Sequence, residues 1–271
     1  MPRLDRLLLG VVLGGGLLGM TGCSRLTFVK PDLGKMEVEQ VRQPVRARDS
    51  AAVKGQTAAL QLVSAASASL QEGDLAGAEK NARAALKADP NSVDAHTLMG
   101  VISSQQGRAA EAGDWLKKAA QLSQGRPAEA ANYGAWLCEN GDPVASLQYF
   151  DYAVQGQSGI DRAASLANAG TCALGAGLDA RADTYLNQAI EFDPRSVLAL
   201  ESLAGLSLKR GRAMDARAYI ERRLEITPVS ASALATAAET ESRLGDQRAA
   251  AMYQQRLRNE FPNTQRPSRG E

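Results

Sequence analysis

The sequence predicts an all-α protein, a right-handed α-solenoid of six helix-turn-helix repeats behind an export signal and a tether. Three observations predict it. Glycine recurs at Gly73, Gly107, Gly141, Gly177, Gly211 and Gly245, at intervals of 34, 34, 36, 34 and 34 residues. Around each glycine stands a fixed set of partners. A small residue follows five positions later (Ala78, Ala112, Ser146, Ala182, Ala216, Ala250), alanine twelve later at Ala85, Ala119, Ala153 and Ala189, and proline seventeen later at Pro90, Pro194, Pro228 and Pro262. Finally, apolar residues make up 44% of the chain but aromatics only 4%, so the core is built from Ala, Leu and Val, which suits closely packed helices better than sheets.

The segment Met1–Gly22 reads as a secretory signal. Arg3 and Arg6 supply a charged start, Leu7–Met20 is an uncharged run of 14 residues, and small residues precede Cys23. Fourteen residues are too few for a membrane span, which needs about 20. Thr21, Gly22 and Cys23 resemble the lipobox of bacterial lipoproteins, which implies cleavage between Gly22 and Cys23 and lipidation of Cys23; Met20 stands where that family prefers leucine. Ser24 in place of aspartate implies export to the outer membrane. Cleavage also removes two arginines and one aspartate, leaving the chain neutral, so acyl chains rather than charge must hold it. Residues 23–56, with Pro31, Pro44 and no sustained period, read as the lipidated N-terminus and a flexible tether. Some 30 extended residues reach roughly 100 Å.

From residue 57 to 264 the 34-residue period takes over. Its glycine, alanine and proline offsets are the tetratricopeptide signature. Each glycine ends the first helix at a left-handed backbone position, the small residue lets the second helix approach, and proline closes that helix. The expected repeats span about 59–92, 93–126, 127–162, 163–196, 197–230 and 231–264, with a disordered tail at 265–271. Within the third repeat, Gly141 is the turn and Gly134 the point where the two helices touch, matched by Gly100 and Gly170 in its neighbours. Pro143 is tolerated in the first turn of the second helix. Such units cannot bury their apolar faces alone and must stack.

Chemistry is sparse. His96 is the only histidine, and it falls on the inward stripe with Met99 and Gly100, where a packed side chain is expected rather than a base. No metalloprotease, phosphate-loop, nucleophile-elbow or CxxC motif occurs, so neither catalysis, a metal, a cofactor nor a small-molecule substrate is expected. A net charge of +1 with interspersed signs gives no track for nucleic acid. Cys138 and Cys172 lie on the first helices of adjacent repeats, two positions out of register. Either they form a disulfide in an oxidising compartment or they are two buried small apolar side chains.

Residues 2, 5, 9 and 12 of each first helix are expected on the concave side. In repeat one these are Leu60, Val63, Ser67 and Leu70, an apolar set that reads either as a groove for a partner's helix or strand, or as a face covered by the residues before Gln56. The equivalents in repeat two are Asp94, Thr97, Val101 and Ser104, and in repeat six Ser232, Ala235, Glu239 and Ser242. Asn132 and Asn168 sit at matching inner positions, placed to bond a peptide backbone or to steady a neighbouring loop.

One run is not generic. Asn132, Tyr133, Gly134, Trp136, Leu137, Cys138, Gly141 and Phe150 resemble the third-repeat segment of the type IV pilus pilotins, the PilF/PilW-type lipoproteins, and the likeness extends to the lipidated start, the tether, the repeats and Cys172. Ser146 and Pro143 depart from that pattern. The resemblance implies a non-enzymatic protein at the outer membrane, lipid-anchored in its inner leaflet and facing the periplasm, that binds secretin subunits and promotes their localisation and multimerisation. The alternative is a general periplasmic repeat scaffold recruiting peptidoglycan hydrolases or barrel-assembly factors.

Overall fold

The computed structural model describes residues 50–262. The expected signal, the cleavage site before Cys23, lipidated Cys23 itself, nearly all of the tether and the 265–271 tail lie outside them. Among the described residues there are twelve helices and no strand, in six pairs: α1 (Ala51–Gln71) with α2 (Leu75–Ala88), α3 (Val93–Gln105) with α4 (Ala109–Leu122), α5 (Pro127–Glu139) with α6 (Pro143–Gly156), α7 (Gly159–Gly175) with α8 (Asp179–Phe192), α9 (Val197–Lys209) with α10 (Ala213–Leu224), and α11 (Ala231–Leu244) with α12 (Gln247–Glu260). None of these helices is long and apolar enough to cross a membrane.

The glycine register sets the helix ends. All six turn glycines have positive φ, between 72° and 101°, a conformation open to glycine and costly for a residue with Cβ. The next helix is then capped where the sequence supplies an acceptor. Asp74, Asp142 and Asp246 accept from the N–H three residues on, and Ser92, Ser196 and Ser230 do the same for α3, α9 and α11. Pro143 occupies the first turn of α6, where a missing N–H costs nothing.

The small residues do what their positions predict. Ala78, Ala112, Ser146, Ala182 and Ala216 are fully buried, and Ala250 nearly so. A Cβ on Gly100 would stand 2.6 Å from the Leu116 side chain, one on Gly170 2.5 Å from Leu186, and one on Gly134 3.1 Å from the Tyr149 Cβ. Each first helix thus lies directly on the second helix of its own repeat. Stacking between repeats is sequential: each second helix touches the next first helix, and first helices touch one another at α1–α3, α5–α7, α7–α9 and α9–α11. The first helices therefore form the inner layer and the second helices the outer one. Leu147, Phe150, Leu166, Leu186 and Leu203 run through the middle repeats as one continuous core.

Polar links also join neighbours only. Arg108 bonds Glu79 at 3.1 Å, Arg210 bonds Asp183 at 2.6 Å, and Lys209 bonds Asp179 at 2.7 Å, each reaching back one repeat. Arg223, almost wholly buried, bonds Glu201 at 2.6 Å and the carbonyls of Ile226 and Pro228.

Two boundaries differ from expectation. The tether was expected to reach residue 56, but α1 begins at Ala51, with Ser50 accepting from the Val53 N–H. Residues 51–56 are rich in helix-forming residues with nothing to stop a helix, and Gly55 lets the extra turn pass close to the Ala88 carbonyl, 2.6 Å from where its Cβ would be. They extend α1 rather than fold back over it. The fourth repeat begins at Gly159 instead of 163: the two-residue insertion is absorbed as a longer α7 of 17 residues.

Candidate partner-binding groove

The inner layer carries the site. On α3, Asp94, Thr97 and Val101 are half-exposed and Ser104 is exposed; on α11, Ser232, Ala235, Glu239 and Ser242 are all exposed. These positions face the concave side. In the first repeat Leu60 is exposed and Val63, Ser67 and Leu70 are half-exposed, the same mixture as on α3. Leu60 is 60% exposed, but Val63 packs against Ala59, Ala85 and Ala95, and Leu70 against Ala66, Ala78 and Met99. Ser67 is half-exposed beside them.

The open groove lies further along, where α3, α5 and α7 stand side by side. Between α3 and α5 is a cavity of about 210 Å³, walled by Val101, Leu116, Ala135 and Trp136 with Ser104 and Glu139 at its rim. Between α5 and α7 is a second of about 470 Å³, lined by Ala128, Ala131, Ser158, Asp161 and Ser165. Asn132 borders both, and Asn168 borders the second. One amide thus stands at the junction of an apolar half and a polar half. Gln157, at the edge of the polar half, has a buried Oε1 with no hydrogen-bond partner among the described residues. A bound chain's N–H satisfies such an acceptor at no desolvation cost beyond that already incurred.

The residues from Asn132 to Cys138 build this groove rather than merely lining it. Trp136 lies across Gly113 of α4, whose Cβ would fall 2.3 Å from the indole ring, and its Nε1 donates to the Ala109 carbonyl at 3.0 Å. Trp136 thus fills the seam between repeats two and three, with the Tyr152 hydroxyl bonding the Gly125 carbonyl across it at 2.8 Å. Tyr133 is buried, stacks parallel to Trp136 with centroids 5.9 Å apart, and meets Tyr149 edge-on at 4.9 Å. Burial pushes its phenol pKa up, with Tyr149 and Asp114 adding to the effect. Leu137 is half-buried, Phe150 is fully buried beneath Gly134, and Gly141 is the turn.

Cys138 and Cys172 are joined in the structure, their Cα atoms 5.7 Å apart. The bridge ties α5 to α7 at the C-terminal halves of both helices, opposite the end where the larger cavity opens. His96 is buried; its Nδ1 donates to the Ser92 carbonyl at 2.8 Å and its ring packs near Trp115. Among the described residues no cluster of three His, Cys, Asp or Glu side chains is placed to hold a metal ion.

Sequence reasoning located Asn132, Asn168, Trp136 and Val101 but missed Gly113 and Gln157. Gly113 carried a signal: it sits next to the buried Ala112 of the register, where a second missing side chain leaves room for an aromatic from the next repeat.

Comparison with known proteins places this geometry. Residues 63–127 match the tetratricopeptide repeat family model. No curated protein matches the chain at a significant level. Among solved structures, PilF of Pseudomonas aeruginosa superimposes over 78% of this chain and 95% of its own, with a TM-score of 0.71 at 22% identity. PilW, described as a widely conserved type IV pilus biogenesis factor, covers 80% of this chain and 97% of its own at TM-score 0.67 and 22% identity. YrrB, described as a TPR protein with an unusual peptide-binding site, covers 65% and 90% at TM-score 0.53 and 19% identity. The fold is a tetratricopeptide solenoid resembling type IV pilus biogenesis factors.

Proposed function

We propose that the chain is a pilotin: an outer-membrane lipoprotein, anchored in the inner leaflet through acylated Cys23, that binds secretin subunits and promotes their localisation and multimerisation for type IV pilus biogenesis. The observation that carries this reading is the position of the Asn132–Cys138 run. The residues by which the sequence resembles pilotins are those that close the seam at Gly113, supply the bridging Cys138 and place Asn132 between the two halves of the inner groove. The tetratricopeptide fold, widely used to hold other proteins, supports the same reading.

The mechanism is positional and needs no catalysis. A rigid concave surface on a lipid-held tether raises the local concentration of a partner segment beside the membrane. The apolar half at Val101 and Trp136 takes side chains, while Asn132, Asn168 and Gln157 pair with backbone amides of an extended segment.

Deleting the gene and assaying heat-stable secretin multimers in outer-membrane fractions tests the reading. Loss of multimers, restored by the wild-type gene but not by Cys23→Ala, is the expected result. Normal multimers with altered cell-wall turnover would replace it with a general scaffold that recruits peptidoglycan hydrolases or barrel-assembly factors. Continued outer-membrane fractionation of Cys23→Ala would remove the lipid anchor from the account.

A further inference from the structure

Asparagine precedes glycine once in this chain, at Asn140–Gly141. The pair forms the turn between α5 and α6, and both residues are exposed. In the other repeats the residue before the turn glycine is Glu72, Gln106, Ala176, Arg210 or Leu244. The backbone at Asn140 is also unlike its equivalents. It has φ −105° and ψ 22°, whereas Glu72, Gln106, Ala176 and Arg210 keep φ between −87° and −78° and ψ between −7° and 3°. The extra rotation turns the next amide away from the helix. The N–H groups of Gly73, Gly107, Gly177, Gly211 and Gly245 each bond the carbonyl three residues back, at 2.9–3.1 Å. Among the described residues, the Gly141 N–H makes no such bond.

We infer that Asn140 is a site of spontaneous deamidation whose products loosen the last turn of α5. Asparagine is among the thermolabile residues, and here its neighbour is the least hindered nucleophile the backbone offers. The Gly141 nitrogen, giving up its proton, attacks the Asn140 Cγ. The N–Cγ bond forms, the Cγ–Nδ2 bond breaks, and Nδ2 leaves with that proton as ammonia. One water then opens the succinimide ring. Addition at Cγ gives aspartate, and addition at the main-chain carbonyl carbon gives isoaspartate, in which the peptide link runs through the side chain. Attack requires the peptide plane between the two residues to turn until the nitrogen faces Cγ. At the other five turns this breaks the glycine's hydrogen bond; at Gly141 there is none to break, and nothing lies within 4 Å of where a Cβ would stand. What holds the amide is one exposed bond, from Nδ2 to the Trp136 carbonyl at 2.8 Å, which contributes little.

The product alters the turn in several ways at once. The Trp136 carbonyl loses its donor and faces a carboxylate instead. Negative charge is added at the C-terminus of α5, the negative end of the helix dipole, between the exposed Glu139 and Asp142. In isoaspartate the main chain also gains a methylene group in the turn that sets α5 on α6. The last turn of α5 carries Trp136, which lies across Gly113, and Cys138 of the bridge, so the loosening falls on the seam between repeats two and three. Asn132 and Asn168 lack the combination. They lie within α5 and α7 and are followed by Tyr133 and Ala169, whose side chains crowd the nitrogen.

Incubating the full-length folded protein at mildly alkaline pH, digesting it at acidic pH and mapping the fragments by mass tests this. At Asn140 the mass gain of an amide turned acid is expected. It should divide between two chromatographically separate products, aspartate and isoaspartate, and build up faster as pH rises because the attacking nitrogen must lose its proton. Asn132, exposed on the same helix, is expected to stay intact and serves as the internal reference. Asn140→Asp, which carries the product's charge without the isomerised backbone, is expected to unfold at lower urea than the wild type, and the aged protein at lower urea still. Conversion of Asn140 no faster than that of Asn132, or aspartate as the sole product, would overturn the site. An unchanged urea midpoint in either altered protein would overturn the loosening. Secretin binding plays no part in these measurements, so the pilotin reading stands or falls separately.

Discussion

The indole of Trp136 occupies the space that a side chain on Gly113 would need, and its N–H bonds the carbonyl of Ala109 one helix turn away. An aromatic from the third repeat thereby fills the seam with the second. Gly113→Ala should displace the ring and destabilise the protein by about 1–3 kcal/mol, the usual cost of overpacking. Urea denaturation followed by circular dichroism measures it; an unchanged midpoint would mean the indole is not confined there.

The Cys138–Cys172 bridge closes a loop with a sequence separation of 34. On a chain-entropy estimate, its loss costs about 3–4 kcal/mol. The double variant Cys138→Ser, Cys172→Ser should therefore unfold at lower urea, and reductant should shift the wild type but not the variant. Equal midpoints with and without reductant would show that the thiols are not joined in the protein as purified.

Leu60 and Leu70 sit on one helix but not in one environment. Leu60→Asp should change stability by no more than about 0.5 kcal/mol, as an exposed substitution does. Leu70→Asp places a charge against Ala66, Ala78 and Met99 and should cost several-fold more. Thermal melts distinguish them. If both variants melt with the wild type, the first repeat is less packed than its contacts indicate.

Hydrogen bonds from Gln106, Arg83 and Arg108 lower the Glu79 pKa from an ordinary 4.5 to about 2. A carboxylate stabilised in the folded state contributes fully above the unfolded value of 4.5, and its contribution is lost as pH falls towards 2. Glu79 is partly open to water, so the effect is modest. Glu79→Gln should flatten the acid limb of stability between those two values and leave pH 7–8 behaviour otherwise parallel to the wild type.

Asn132→Ala with Asn168→Ala should leave the helical signal and melting point unchanged but weaken capture of a secretin fragment about five- to a hundredfold, at roughly 0.5–1.5 kcal/mol per hydrogen bond. Pull-down with purified components reads this directly. Undiminished capture would move the contact surface away from α5 and α7.

Much of the fold was legible because its punctuation is chemical. A glycine that must take positive φ, an alanine that must have no bulk and a proline that must end a helix leave marks at fixed spacing. Where no stop residue exists, the pattern gives no boundary, which is why the extra turn at Ala51 and the longer α7 were not visible. The inner face was legible at Asn132 and Asn168 because equivalent positions repeat. At Val63 and Leu70 the period identifies a stripe but not how much of each side chain its neighbours cover, which is half of it. The fit of Trp136 over Gly113 depends on the step between repeats, which no single helix encodes.

The bridge between α5 and α7 is the one covalent link in the middle of an array whose neighbouring repeats are otherwise held by non-covalent contacts. Such an array wears from its tips, losing outer units first. A covalent clasp at the centre halts that erosion from either side. The stretch around Asn132 is thus the last to come apart, and re-formation of the outer units starts from a template already in place.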